Sequence, residues 1–209
     1  MRKLTTFIVA HNEEARLEWC IHHARAYSDE IVVAVQESTD RTLPIALKLA
    51  DTVIEHPAMG SCEFSRGDGF RFVTSEWVLQ MDADERLTEF GLSMIRSLLN
   101  NPQHVVYALR RLTTVNGQTI EDAHQFRLIR PGDWDGVHNR MHSSLHPRAG
   151  VPVIGVNGPP FIEHAKMASE QTIDDQRYRK LGYMTTEIRP EWLVVPWCRV
   201  HKVNGAITQ

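Results

Sequence analysis

Apolar and polar positions follow two alternating periods over the first hundred residues. Leu4–Ala10 and Ile31-Val32-Val33-Ala34-Val35 are apolar runs of the kind found in strands buried on both faces of a parallel sheet. Between them Leu17, Cys20, Ile21 and Ala24 recur at helical spacing. The pattern predicts strand-like segments at 4–10, 30–35, 51–56 and 77–81, and helix-like segments at 14–26, 42–50, 64–73 and 88–100. Thr42 with Pro44 in the first turn, and Thr88 followed by Glu89, are helix starts. Strand and helix in strict alternation imply βαβ units.

Beyond residue 101 the pattern weakens into short strand-like pieces at 105–110, 125–129 and 161–164, separated by turns such as Arg130-Pro131-Gly132-Asp133. This half is expected to extend the sheet and build a substrate face. Residues 169–183 read as a charged surface helix, and 192–197 as an apolar tail interrupted by Pro196 that packs on the core, with a partner or membrane surface as the alternative. The organisation expected is a single α/β domain over 1–209: a nucleotide-binding half to residue 100, an acceptor-facing half over 101–168, then a helix and tail.

Composition narrows the class. With 42% hydrophobic and 23% charged residues in 209, the chain can bury a sizeable core. A formal net charge of -3 gives no global attraction to nucleic acid or anionic membrane, so a polyanion site would have to be local. Arg110, Arg111, Arg127, Arg130, Arg140 and Arg148 make the middle of the chain the basic part. Cys20, Cys62 and Cys198 are widely separated and unpaired in spacing, which points to reduced thiols and a cytoplasmic setting. No segment approaches the roughly 20 apolar residues of a membrane span, so a protein without membrane insertion is expected.

In an open parallel sheet the ligand crevice lies outside the carboxyl ends of the strands. The residues at those ends are His11-Asn12-Glu13-Glu14, Gln36-Glu37-Ser38-Thr39-Asp40-Arg41-Thr42 and Asp82-Ala83-Asp84-Glu85, all but Ala83 polar. Asp82 and Asp84 would stand on the same side of an extended backbone, and hard oxygen ligands so placed suit Mg²⁺ or Mn²⁺ beside a phosphate.

Asn12-Glu13-Glu14, Asp29 through Val33, Ser38 through Thr42, Arg66 and Trp77 through Glu85 occur in the order and spacing of family 2 glycosyltransferases, which the chain resembles. The resemblance is to small members of the GT-A fold, a Rossmann-like mixed but mostly parallel sheet flanked by helices. It implies an inverting, metal-dependent enzyme that moves a sugar from a nucleotide-diphosphate sugar, UDP-sugars favoured, to a hydroxyl acceptor. By the same likeness His11, Asn12, Glu13, Glu37, Asp40, Arg66 and Asp82 would surround the nucleotide, and Asp84, Asp82 and His164 would hold Mn²⁺ or Mg²⁺, with His138 a second choice for the late histidine. The catalytic base would be Asp135, with Asp133 and His138 as alternatives, since an inverting transfer needs a carboxylate or imidazole against the acceptor hydroxyl.

Val35 replaces a usual aspartate, with Glu37 as substitute, and Asn139 stands where a glutamate is common. These departures keep open a non-catalytic sugar-nucleotide or glycan-binding relative. An Asp-x-Asp after a strand also occurs in haloacid-dehalogenase-type phosphatases, although there it comes near the N-terminus. Helix capping by the two aspartates is the plain structural alternative. Glycan, lipid, protein and modified DNA base remain equal as acceptors.

Overall fold

The apolar runs at 4–10 and 31–35 lie side by side in the middle of one sheet. The computed structural model describes residues 4–57, 65–66, 71–100, 105–134, 147–180 and 198–203. Its strands are β1 (Leu4–Ala10), β2 (Glu30–Gln36), β3 (Thr52–His56), β4 (Trp77–Asp82), β5 (Glu85–Leu87), β6 (Val106–Val115), β7 (Gln118–Ile129), β8 (Val153–Val156), β9 (Ile162–Lys166) and β10 (Arg199–Lys202). Its helices are α1 (Leu17–Arg25), α2 (Thr42–Leu49), α3 (Glu89–Leu99) and α4 (Ala168–Lys180).

The strand order is β10-β3-β2-β1-β4-β7-β6-β9-β5, with β8 beside β6. Strands β3, β2, β1 and β4 run parallel, as the βαβ pattern requires, and β7 joins β4 antiparallel. The mixed, mostly parallel α/β architecture expected from the pattern is therefore present, and one sheet runs through both halves of the chain.

Alternate residues of β1 feed two cores. Leu4, Ile8 and Ala10 pack with Leu17, Cys20, Ile21 and Ala24 of α1, Ile45 and Ala46 of α2, and Ile95 and Leu99 of α3. Phe7 and Val9 point the other way, with Val32, Ala34, Ile54 and Val78. Burying a Val, Leu or Ile side chain contributes about 1.5–3 kcal/mol, so these central strands supply much of the drive to fold.

Several boundaries differ from expectation. Strands β6 and β7 reach well past 105–110 and 125–129 and form a long hairpin turned at Asn116 and Gly117, whose φ angles are 48° and 79°. The outer half of β7 is mostly exposed, so it has no apolar alternation by which to be recognised. Strand β4 stops at Asp82 and Ala83-Asp84 form a turn into β5, so the two aspartates are not neighbours on one extended strand as expected. Nor do they cap the following helix. Thr88 does, its hydroxyl accepting the N–H of Gly91 at 3.0 Å. Half of 64–73 and all of 192–197 lie outside the described residues.

Candidate active site

The parallel register brings the carboxyl ends of β1, β2 and β4 to one rim: Ala10 is opposite Val35, and Val9 opposite Asp82. The loop after β1 begins at His11 and turns sharply at Asn12, a left-handed residue at φ 55°. Asn12 Oδ1 accepts the Thr39 N–H at 2.9 Å, and the Asn12 N–H donates to Ser38 Oγ at 3.1 Å. Asparagine tolerates the positive φ and its amide ties this loop to the one after β2.

Asp40 reinforces the same junction. Its Oδ1 accepts the backbone N–H of Thr42 at 2.9 Å and the Thr42 hydroxyl, while Oδ2 accepts the Glu14 N–H at 3.1 Å. Burial would raise its pKa, but these hydrogen bonds outweigh burial and hold the carboxylate below the ordinary range. The Thr42 hydroxyl in turn accepts the Glu13 N–H at 2.7 Å. Glu37 is exposed, just past the end of β2. His11 is half-buried; its Nε2 lies 3.3 Å from Asn12 Nδ2 and its buried Nδ1 has no hydrogen-bond partner among the described residues.

Asp82 faces an arginine-rich interior. Its Oδ1 accepts from Arg66 Nη2 at 2.7 Å and Gln80 Nε2 at 3.1 Å, and Oδ2 lies 3.6 Å from Arg127 Nη2. Arg66, expected beside the nucleotide, pairs with Asp82; Glu63 and Asp68 lie outside the described residues. Beneath this pair the carboxylate of Glu85, fully buried, accepts the Asp82 backbone N–H at 2.9 Å, Arg127 Nη2 at 2.7 Å and Arg111 Nη1 at 3.1 Å. Arg127 also donates to Gln80 Oε1 and Gln125 Oε1, each at 2.7 Å.

Asp84 turns the other way. Its Oδ2 is 2.9 Å from His164 Nε2 and 4.0 Å from Lys166 Nζ. His164 Nδ1 lies 3.3 Å from Thr113 Oγ1, so both ring nitrogens are engaged. Asp84 and His164 are thus brought together, whereas the Asp82 carboxylate is committed to guanidinium groups.

Electrostatics divide the rim. Burial would raise Asp82, but the charges of Arg66, Arg127 and Arg111 pull it well below the usual carboxylate range. For Asp84 too burial is outweighed, here by the His164 hydrogen bond and charge, and its pKa is lowered. Glu13 goes the opposite way: burial and the negative charge of Asp84 push it up to about 7, against the nearby Arg16, whose Nη1 donates to Glu13 Oε2 at 3.1 Å. Cys20, under the rim with Sγ 3.9 Å from the Glu85 carbonyl oxygen, has its thiol pKa raised by burial and is a packing residue.

These observations fit a divalent cation held by Asp84 and His164. A carboxylate and an imidazole already converge there. Among the described residues no group of three or more His, Cys, Asp and Glu side chains gathers as a closed metal site. A hard cation completes such a partial set with phosphate and water oxygens.

Asp135 and His138 lie outside the described residues. Asp133 is buried at the end of a 3-10 turn over Pro131–Asp133. Gln80 and Glu85 carried only a place in the Trp77–Glu85 stretch, Arg111 and Arg127 only a place in the basic middle of the chain, and Thr113 and Glu121 no expectation. The signal available was a charged residue directly after the second aspartate and an arginine inside the otherwise apolar Phe126–Ile129 stretch.

Residues 5–155 match the family described as "Glycosyl transferase family 2". An uncharacterised glycosyltransferase of Rickettsia typhi is 32% identical over 120 residues, 56% of this chain and 41% of that protein; one from Rickettsia bellii is 30% identical over 114 residues, 53% and 38%. The chain matches well under half the length of these curated relatives. Among solved structures, S. aureus TarS superposes with a TM-score of 0.54 at 12% identity over 90% of this chain and 41% of that one. A shorter TarS, residues 1–349 in complex with UDP-GlcNAc, gives 0.54 at 13% identity over 78% and 58%.

Proposed function

The chain belongs to glycosyl transferase family 2, and on that premise we propose that it transfers a sugar from a nucleotide-diphosphate sugar, a UDP-sugar before others, to a hydroxyl acceptor with inversion at the anomeric carbon. The observation that carries this reading is the convergence of Arg66–Asp82 and Asp84–His164 at the carboxyl end of β4, beside the loops that hold His11 and Glu13. The UDP-GlcNAc complex of the similarly folded TarS supports UDP as the first nucleotide to try.

His11 offers a half-buried ring to a base, and Asn12 and Asp40 keep the two binding loops in one arrangement. Glu37, exposed past β2, would meet ribose hydroxyls in place of the aspartate replaced by Val35. The Arg66 guanidinium, set by Asp82, would meet phosphate oxygens, for which a planar fork is well shaped. Asp84 and His164 would hold Mn²⁺ or Mg²⁺, which when bound neutralises the charge growing on the departing diphosphate. Asp135 would take the acceptor proton, with His138 next in order. The family assignment sets aside a phosphatase.

Thermal-shift measurements with UDP-, GDP-, ADP- and TDP-sugars, each with and without Mn²⁺, test the reading. A ligand at a hundred times its Kd stabilises the native state by about 2.7 kcal/mol, well within detection. The expected result is a Mn²⁺-dependent shift with a UDP-sugar that Asp84→Ala abolishes and Asp135→Asn preserves while turnover stops. Indifference to every nucleotide sugar would overturn the proposal.

A further inference from the structure

The sheet register draws one polar row across four strands. Glu85 of β5 is opposite His164 of β9, His164 is opposite Thr113 of β6, and Thr113 is opposite Glu121 of β7. Residues paired across neighbouring strands share a face, so these side chains meet although the chain separates them widely. Thr113 Oγ1 lies 3.1 Å from Glu121 Oε2 and 3.3 Å from His164 Nδ1. Glu121 is itself fixed by Arg111, whose Nη2 bonds Glu121 Oε2 while its Nη1 reaches the buried Glu85.

Hydrogen-bond bookkeeping decides which way the Thr113–His164 hydrogen bond runs. A threonine hydroxyl has one proton, and an ionised carboxylate can only accept. Arg111 keeps Glu121 ionised, so the Thr113 proton goes to Glu121 Oε2. Oγ1 then has only lone pairs to offer His164, so Nδ1 carries a proton toward it, whatever Nε2 holds. Nε2 lies 2.9 Å from Asp84 Oδ2, a hydrogen bond when the ring carries a second proton and, in the neutral Nδ1–H ring, a lone pair that shares a cation with that carboxylate. A carboxylate bonded directly to a ligating histidine is the common way to set its tautomer; here a hydroxyl relays the carboxylate.

We propose that Thr113 and Glu121, anchored by Arg111, are positioning residues that lock His164 as its Nδ1–H tautomer, so that Nε2 and the Asp84 carboxylate face one hard divalent cation. The consequence for the cation rests on the reading of Asp84 and His164 given above; the tautomer does not.

Two measurements on the whole chain test this. Long-range ¹H–¹⁵N spectra of histidine-labelled protein at alkaline pH, with His164 assigned by loss of its signals in His164→Gln, report the tautomer directly. Expected are Nδ1–H in the wild type, a shift of population to Nε2–H in the near-isosteric Thr113→Val, and recovery in Thr113→Ser. Mn²⁺ titration followed by the electron paramagnetic resonance of the free ion should show about tenfold weaker binding in Thr113→Val and wild-type binding in Thr113→Ser. A wild-type ring protonated on Nε2, or a tautomer unmoved in a folded Thr113→Val, would sink the lock. Mn²⁺ binding unaffected by Asp84→Ala would instead remove the cation from the pair, with the spectra still deciding the tautomer.

Discussion

Arg127 is the residue on which the interior of the site turns. It is 2% exposed and bonds Gln80, Glu85 and Gln125 at once, with Asp82 at 3.6 Å. A buried ion pair is a modest net gain against an apolar pair, but removing one partner leaves the other charge desolvated and unmatched. Arg127→Met should therefore cost about 3–5 kcal/mol in urea denaturation, because Glu85 would keep only Arg111 and the Asp82 N–H. A loss under about 1 kcal/mol would show that Glu85 is satisfied without it. Asp82 and Asp84 were legible as a pair from the abrupt end of an apolar run, but not what each side chain meets. Their partners come from β6, β7 and β9, far along the chain, and from Arg66.

At the scale of elements, α3 shows how closely the two halves of the chain are joined. Its cap, Thr88, donates its hydroxyl to the Pro160 carbonyl at 2.7 Å and its N–H to that of Phe161 at 3.0 Å, which seats the helix on the segment leading into β9. Gly91 makes that approach possible: a Cβ there would lie 2.5 Å from the Phe161 carbonyl oxygen and 3.1 Å from its ring. Gly91→Ala raises helix propensity by up to about 1 kcal/mol, yet the clash with backbone should prevail. The expected outcome is net destabilisation of about 1–3 kcal/mol by thermal or urea unfolding, and a more stable variant would contradict the packing described. The parallel strands were legible because each is apolar on both faces. The β6–β7 hairpin was not, since its outer half is solvated and is held by cross-strand pairs such as Arg110–Asp122 at 2.6 Å.

For the molecule as a whole, the crowding of Glu13, Asp82 and Asp84 at one rim sets a pH dependence. Glu13 is raised from 4.5 to about 7 in the fold, so between those values the native state binds more protons than the unfolded chain. Its contribution to stability is therefore fully present below its unfolded pKa and is lost as pH rises toward 7. In metal-free buffer, Glu13→Gln should flatten the fall in stability between those pH values, as followed by urea denaturation at each pH. An unchanged slope would mean that burial and Asp84 do not act on Glu13 as described. Asp82 and Asp84, both lowered, act in the opposite sense and lose their contribution only in acid. No helix among the described residues is long and apolar enough to cross a membrane.

The amino-acid order by itself determined the βαβ half, the strand ends that bear polar residues, and the family motifs around Asn12, Asp40, Arg66 and Asp82, because burial on both faces of a parallel strand leaves a local apolar signature and the ligand rim follows from strand direction. Only the tertiary structure decided that Asp82 and Asp84 part company at a turn, that Arg127 and Glu85 underlie the first, and that Thr113, Glu121 and His164 back the second. Those pairings depend on the register of β5, β9, β6 and β7, which hydrogen bonding between distant strands sets and no local period encodes.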